Sequence, residues 1–169
     1  IYLCIIIDMR QYVRNILIYL VALLAIIAFI ALFANSLEFY DSVKQTWITY
    51  KVNSYIGKEG VCKGTIIPVF GFALPLLIAV ILIVESFKKS WSGNLKVINT
   101  ILAIILALCA VCVLLTKELF LSVNNLGETT NMRNGAGPVL SAISSIIGSI
   151  LLLLATWLPF KTDIKFIDR

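Results

Sequence analysis

The sequence of 169 residues contains no histidine. Histidine is the usual general acid or base near neutral pH, the usual partner of a nucleophilic serine or cysteine, and a frequent zinc or haem ligand. Glycine-rich phosphate-binding loops are missing as well, and Ser144 and Ser145 have no base in reach along the sequence. These absences predict a protein that is not an enzyme and that holds no cofactor and no metal.

Charge is also scarce, since 14% of the residues are charged and 60% are hydrophobic. Soluble domains are about one quarter charged. A helix needs about 20 apolar residues to cross a hydrocarbon core about 30 Å thick. Four segments meet this length and contain no Asp, Glu, Lys or Arg: residues 16–34, 65–84, 97–116 and 138–160. The sequence therefore predicts an integral membrane protein with four spans.

The short connections between the spans predict a single domain over residues 1–169, an all-α membrane protein whose four helices form an antiparallel bundle. The N-terminus, the 85–96 loop and the C-terminus together carry eight lysine and arginine residues, against six in the longer 35–64 and 117–137 loops, and the short 85–96 loop has three lysines to one acid. The positive-inside rule then places both termini and the 85–96 loop on the inner side and the other two loops outside. A cell membrane is the expected location, with an organelle membrane left open.

The first outer loop holds β-branched and aromatic residues over Thr46 to Val52, which predicts a short strand or hairpin. A helical extension of the first span through residues 37–47 is the alternative. Three aromatic side chains of this loop, Trp47, Tyr50 and Tyr55, are candidates for a partner-binding surface. The second outer loop is rich in Asn, Gly and Thr, which predicts an irregular segment.

The fourth span carries small residues at helical spacing. Helices in lipid associate where small residues allow close approach of their backbones. The predicted helix-packing face consists of Gly137, Ser141, Ser144, Ser145, Gly148 and Ser149. Its partner is either another span of the same chain or a helix of another subunit. In the second span, Pro75 removes a backbone hydrogen bond and predicts a helix kink, for which we favour a packing role over a substrate site.

Cys109 and Cys112 form a C-x-x-C pair in the third span. In this respect the chain resembles two families of four-helix membrane thiol oxidoreductases, the disulfide-forming quinone reductases and the vitamin K epoxide reductases. Those families supply a pair of loop cysteines, whereas the outer loops here hold Cys62 alone. The outline is also similar to that of claudin-like tetraspans, but their Gly-Leu-Trp motif followed by two cysteines is absent. The pair is therefore a weak redox candidate, and packing is its expected role.

The sequence thus favours a non-enzymatic structural, assembly or accessory subunit of a membrane complex. An oligomeric channel or transport component is the second hypothesis, and a thiol oxidoreductase is the third. The expected partners are the lipid bilayer and either other membrane subunits or a second copy of the chain. The net charge of +5 belongs mainly to the membrane rim, so no nucleic-acid partner is expected. Candidate pore-lining residues are Asn99, Thr100, Ser141, Ser144 and Ser145.

Overall fold

The computed structural model describes residues 2–51, 53–59, 62–87, 93–125 and 131–157. Its helices are α1 (Tyr2–Ile30), α2 (Asn53–Ile56), α3 (Ile67–Ser86), α4 (Gly93–Leu114), α5 (Thr116–Val123) and α6 (Ala136–Trp157). Its strands are β1 (Leu37–Asp41), β2 (Thr46–Tyr50), β3 (Gly57–Lys58), β4 (Cys62–Lys63) and β5 (Met132–Asn134). A 3-10 turn at Ala31–Phe33 follows α1.

Four of these helices are long and apolar enough to cross a membrane, over Tyr12–Phe33, Ile67–Ser86, Asn94–Leu114 and Ala136–Trp157. The predicted spans are confirmed in number and in approximate position. By the length and composition of these helices, the chain is an integral multi-pass membrane protein. The predicted end of the fourth span at residue 160 lies outside the described residues.

The four long helices form a closed ring of contacts, in which α1 and α4 each pack against both α3 and α6. Large and small apolar side chains from all four helices meet inside the ring. The buried cluster includes Ile18, Val21, Ala25, Ile78, Leu82, Leu102, Leu106 and Leu152. Small inward residues such as Ala25 let the helices approach closely, which is how helices gain contact in lipid.

A three-stranded antiparallel sheet with the order β2-β1-β5 connects the loop between the first two spans with the loop between the last two. Leu37 of β1 pairs with Tyr50 of β2 and with Asn134 of β5. The predicted strand in the first loop is confirmed over Thr46–Tyr50, and the alternative helical extension is wrong because Leu37–Asp41 is a strand. We call the end of the helices next to this sheet the sheet end, and the other the opposite end.

The loop between the third and fourth spans differs from the predicted irregular segment, because it contains α5 and β5. Phe120 and Leu121 of α5 are buried against Leu37 and Met132, so the helix is held by an apolar face that packs under the sheet. The third span also ends earlier than predicted, at Leu114, because the chain starts a separate helix at residue 116. Residues 126–130 of this loop lie outside the described part.

Two side-chain hydrogen bonds join neighbouring helices at the opposite end. Tyr19 Oη of α1 donates to Ser86 Oγ of α3 at 3.0 Å, since the Ser86 hydroxyl donates to the Ile83 carbonyl oxygen at 2.6 Å. Trp157 Nε1 of α6 donates to Thr100 Oγ1 of α4 at 3.0 Å. The C-terminal ends of α3 and α6 therefore lie beside the N-terminal half of the first span, Tyr12–Phe33, and the N-terminal part of α4. In α3, the helix continues through the buried Pro75, so the expected kink stays a prediction.

Candidate functional site

The small-residue face of α6 is buried within the chain. All six of its predicted members, Gly137, Ser141, Ser144, Ser145, Gly148 and Ser149, belong to the buried residues of α6. Ser149 Oγ donates to the carbonyl oxygen of Ala103 in α4 at 2.8 Å. A Cβ built at Gly148 would contact Leu106 of α4 and Val21 of α1 at 3.7 and 3.8 Å. Two spans of the same chain therefore fill this groove.

The three loop aromatics predicted as a partner-binding surface are separated by the fold. Trp47 is 46% exposed. Tyr50 points to the inner side of the sheet, where its ring lies 5.9 Å from that of Phe120. Tyr55 is 1% exposed, and its ring centroid lies 5.5 Å from that of Phe72 in α3. Of the three residues, Trp47 alone is left on an exposed surface, and Tyr55 is part of the core.

An aromatic and charged surface, exposed at Trp47 and Arg133 and half-buried at Glu38 and Tyr40, forms instead on the outer face of the sheet. Side chains alternate between the two faces of a strand, so Glu38, Tyr40, Trp47 and Arg133 share one face. The Arg133 guanidinium lies 4.0 Å from the centre of the Trp47 ring and 2.8 Å from Glu38 Oε2. The Tyr40 ring lies 5.3 Å from that of Trp47. We call these four residues the sheet surface.

The sequence did not point to this grouping, because Arg133 lies 95 positions from Glu38. Glu38 and Arg133 occupy opposite positions of the β1 and β5 pairing, and Tyr40 and Trp47 occupy opposite positions of the β1 and β2 pairing. A cation over an indole ring and an exposed ion pair each contribute about 1 kcal/mol or less. These contacts fix the orientation of Trp47 more than they stabilise the fold.

The sheet surface rests on a well-anchored base. Leu37 and Met132 on the inner face are buried against α5. The Asn134 side chain links β5 to the helices, since its Nδ2 donates to the Leu114 carbonyl oxygen at 2.7 Å and its Oδ1 accepts from the Lys117 amide at 3.0 Å. Ser36 Oγ, just before β1, lies within 2.8 Å of the Tyr50 carbonyl oxygen. These bonds hold the sheet in place relative to the spans.

Strand β2 forms one edge of this sheet. In the described part of the chain its ladder neighbour is β1, and β5 lies on the other side of β1. Thr46 to Thr49 are all exposed, and the strand holds no charged residue, proline or glycine. Asp41 Oδ1 accepts hydrogen bonds from the Val43 and Lys44 amides in the turn before it. An edge strand without charge or proline is open to pairing with another chain.

The two thiols of the C-x-x-C pair are both free. Cys109 is buried and Cys112 is half-buried. A Cβ built at Gly71 of α3 would lie 3.1 Å from the Cys109 carbonyl oxygen and 3.3 Å from the Cys112 Cβ. The pair therefore lines the close contact of α4 with α3, in keeping with a packing role.

Two polar residues of the spanning helices are buried at the opposite end, and one of them, Glu85, lay just outside the predicted spans. Glu85 lies within the second spanning helix and is 6% exposed. The predicted second span ended at residue 84 and contained no ionisable residue. The spanning helix extends to Ser86 and therefore includes Glu85. Asn99 of α4, which the pore hypothesis placed on a pore wall, is fully buried. A predicted span that ends before the first charged residue is too short when the helix continues and buries that residue, as α3 does with Glu85.

Comparison of the chain with protein-family models, with curated proteins and with solved structures gives no match. The chain is therefore assigned to no family, and function is argued from the surfaces described above.

Proposed function

We propose that this chain is a non-enzymatic assembly or accessory subunit of a membrane complex and that it contacts its partner through the sheet end. The observation that carries this proposal is the sheet surface, where Trp47 is exposed, oriented by Arg133 and set on an anchored sheet. Tryptophan, tyrosine and arginine are the residues that most often dominate the binding energy of protein interfaces. The partner is another membrane subunit or a second copy of the chain.

In this proposal the four helices form an antiparallel bundle, with both termini on the inner side and the sheet outside. The hydrogen bonds of Ser86 with Tyr19 and of Trp157 with Thr100 support an alternation of helix direction. The lysine and arginine distribution supports the orientation.

The internal packing of α6 supports this function over an oligomeric channel. A pore between copies would need its lining residues on the outside of each copy. Ser141, Ser144 and Ser145 are buried within one chain, and Asn99 is fully buried. Lining a shared pore would require α6 to give up its contacts with α1 and α4.

The test is the mass of the native particle after gentle extraction, for the wild type and for the Trp47→Ala variant. We expect the wild-type particle to contain additional protein chains and the variant to lose them. The variant should keep its fold, because the cation–π contact that it removes is worth only about 1 kcal/mol or less at an exposed site. Ile150→Ala, at an exposed apolar position of α6, is the matched control and should keep the full particle.

A wild-type particle of one chain would contradict the proposal. The opposite pattern in the two variants would contradict it as well. If Trp47→Ala retained every partner and Ile150→Ala lost them, the contact with the partner would lie on the spans.

A further inference from the structure

A layer of polar residues crosses the ring of helices at the opposite end. Ile18, Leu82, Leu102 and Leu152 belong to one buried apolar cluster, with one residue from each spanning helix. Residues three or four positions apart lie on the same face of a helix. One turn further toward the opposite end, the same four faces carry Arg14 on α1, Glu85 on α3, Asn99 on α4 and Thr156 on α6. We call these four residues the polar layer.

The polar layer is mostly buried. Asn99 is fully buried, Thr156 is 3% exposed and Glu85 is 6% exposed. Arg14 is half-buried, so the layer reaches the protein surface beside α1. Thr156 Oγ1 donates to the Leu152 carbonyl oxygen at 2.7 Å and still has capacity to accept a hydrogen bond.

The Asn99 side chain is the unusual member of the layer. Neither its Nδ2 nor its Oδ1 has a hydrogen-bond partner among the residues that the structure describes. Buried polar side chains nearly always bond to protein or to ordered water, because a buried amide without partners costs free energy. Such an amide in the interior of a spanning helix therefore points to a bound polar molecule.

The chemistry of the amide selects the ligand. Its Nδ2 needs an acceptor and its Oδ1 needs a donor at the same site. A cation would satisfy the oxygen alone, and an anion would satisfy the NH₂ group alone. Water supplies both functions and also bonds to hydroxyl and carboxyl groups such as those of Thr156 and Glu85.

We propose that the polar layer is a water-binding site, hydrated from the opposite end and centred on Asn99. The apolar layer of Ile18, Leu82, Leu102 and Leu152 closes it toward the sheet. Hydration thus extends into the helix ring from one end and stops one turn beyond Asn99. This site is separate from the sheet surface and does not depend on the proposed function.

The test measures how fast single cysteines react with a small charged methanethiosulfonate reagent, which modifies hydrated thiolates. The full chain, with Cys4, Cys62, Cys109 and Cys112 changed to serine, is held in lipid nanodiscs and labelling is followed by intact mass. Two helices each supply a matched pair: Asn99→Cys against Leu102→Cys on α4, and Thr156→Cys against Leu152→Cys on α6. We expect the polar-layer variants to react at least about tenfold faster, because thiols in apolar surroundings are inert.

Equal and slow reaction of all four variants would overturn the proposal, because the layer would then be dry. Equal and fast reaction would overturn it too, because water would then pass the apolar layer. If Asn99→Cys fails to fold, the α6 pair alone decides between these outcomes, since Thr156→Cys is close to isosteric. Helical circular dichroism and a monodisperse particle establish the fold of each variant before labelling.

Discussion

Replacing Gly137 by alanine is expected to destabilise the protein, whereas the same replacement at Gly148 is expected to be tolerated. A Cβ at Gly137 would lie 2.6 Å from the Ala31 carbonyl oxygen and 3.1 Å from that of Asn35. Both are backbone atoms that a rotamer change cannot move, and the Gly137 amide donates to the Asn35 oxygen at 2.8 Å. Overpacking of this kind costs about 1–3 kcal/mol.

Gly148 is the matched control because it lies on the same buried face of α6. A Cβ there would meet its nearest neighbours at 3.7 Å or more, which is ordinary contact. The change in unfolding free energy should stay within about 1 kcal/mol of the wild type. Thermal unfolding in one detergent compares the two variants. Equal stability of both, or greater loss at Gly148, would show that α6 does not approach the Ala31 segment closely.

Replacing Tyr55 by alanine is expected to produce the largest loss of stability at the sheet end. Its ring is buried against Phe72 of α3, in a cluster that also contains Ala31 and Val113. Truncation of a large buried aromatic side chain costs about 3–5 kcal/mol, because it removes apolar contact and leaves a cavity. Denaturant or thermal unfolding measures the change. A loss below about 1 kcal/mol would mean that Tyr55 is not part of the core.

Tyr55→Phe is the control, since it keeps the buried ring and removes only the hydroxyl, and it should cost far less stability than Tyr55→Ala. Burial raises the pKa of Tyr55, although the nearby hydroxyls of Ser36 and Thr116 act to lower it. The unfolded chain ionises this tyrosine at about pH 10, whereas the fold keeps it neutral. Stability of the wild type should therefore fall as the pH rises above about 10. The stability of Tyr55→Phe should fall less than that of the wild type over the same rise in pH.

The four spans were predictable because their signal is local, being a run of about 20 neutral apolar residues. Strand β2 was predictable for the same reason, since Thr46–Tyr50 is made of residues that favour strands. Strand β5 was not predictable from the sequence. Its three residues are too few to show an alternation of apolar and polar side chains, and Met132–Asn134 forms a strand only by pairing with β1, which is far away in sequence.

The sites were harder to predict than the fold, because exposure depends on tertiary contacts. Trp47 and Tyr55 look alike in the sequence of one loop, yet Trp47 lies on the outer face of the sheet and Tyr55 packs on α3. The small residues of α6 are buried within the chain, but their pattern carried no information on which helices would fill the groove. The structure supplies that information through Ser149 and its bond to Ala103.

The packing of α6 within its own chain, on which the proposed role of the sheet end depends, is tested most directly by an oxidative cross-link. Cysteines are placed at Ala103 and Ser149 in the chain whose native cysteines are changed to serine. We expect a disulfide inside one chain, seen by intact mass as the loss of two hydrogens with the chain still monomeric under non-reducing, denaturing conditions. Covalent dimers linked through these positions would contradict this packing, since the groove of α6 would then be filled by another subunit.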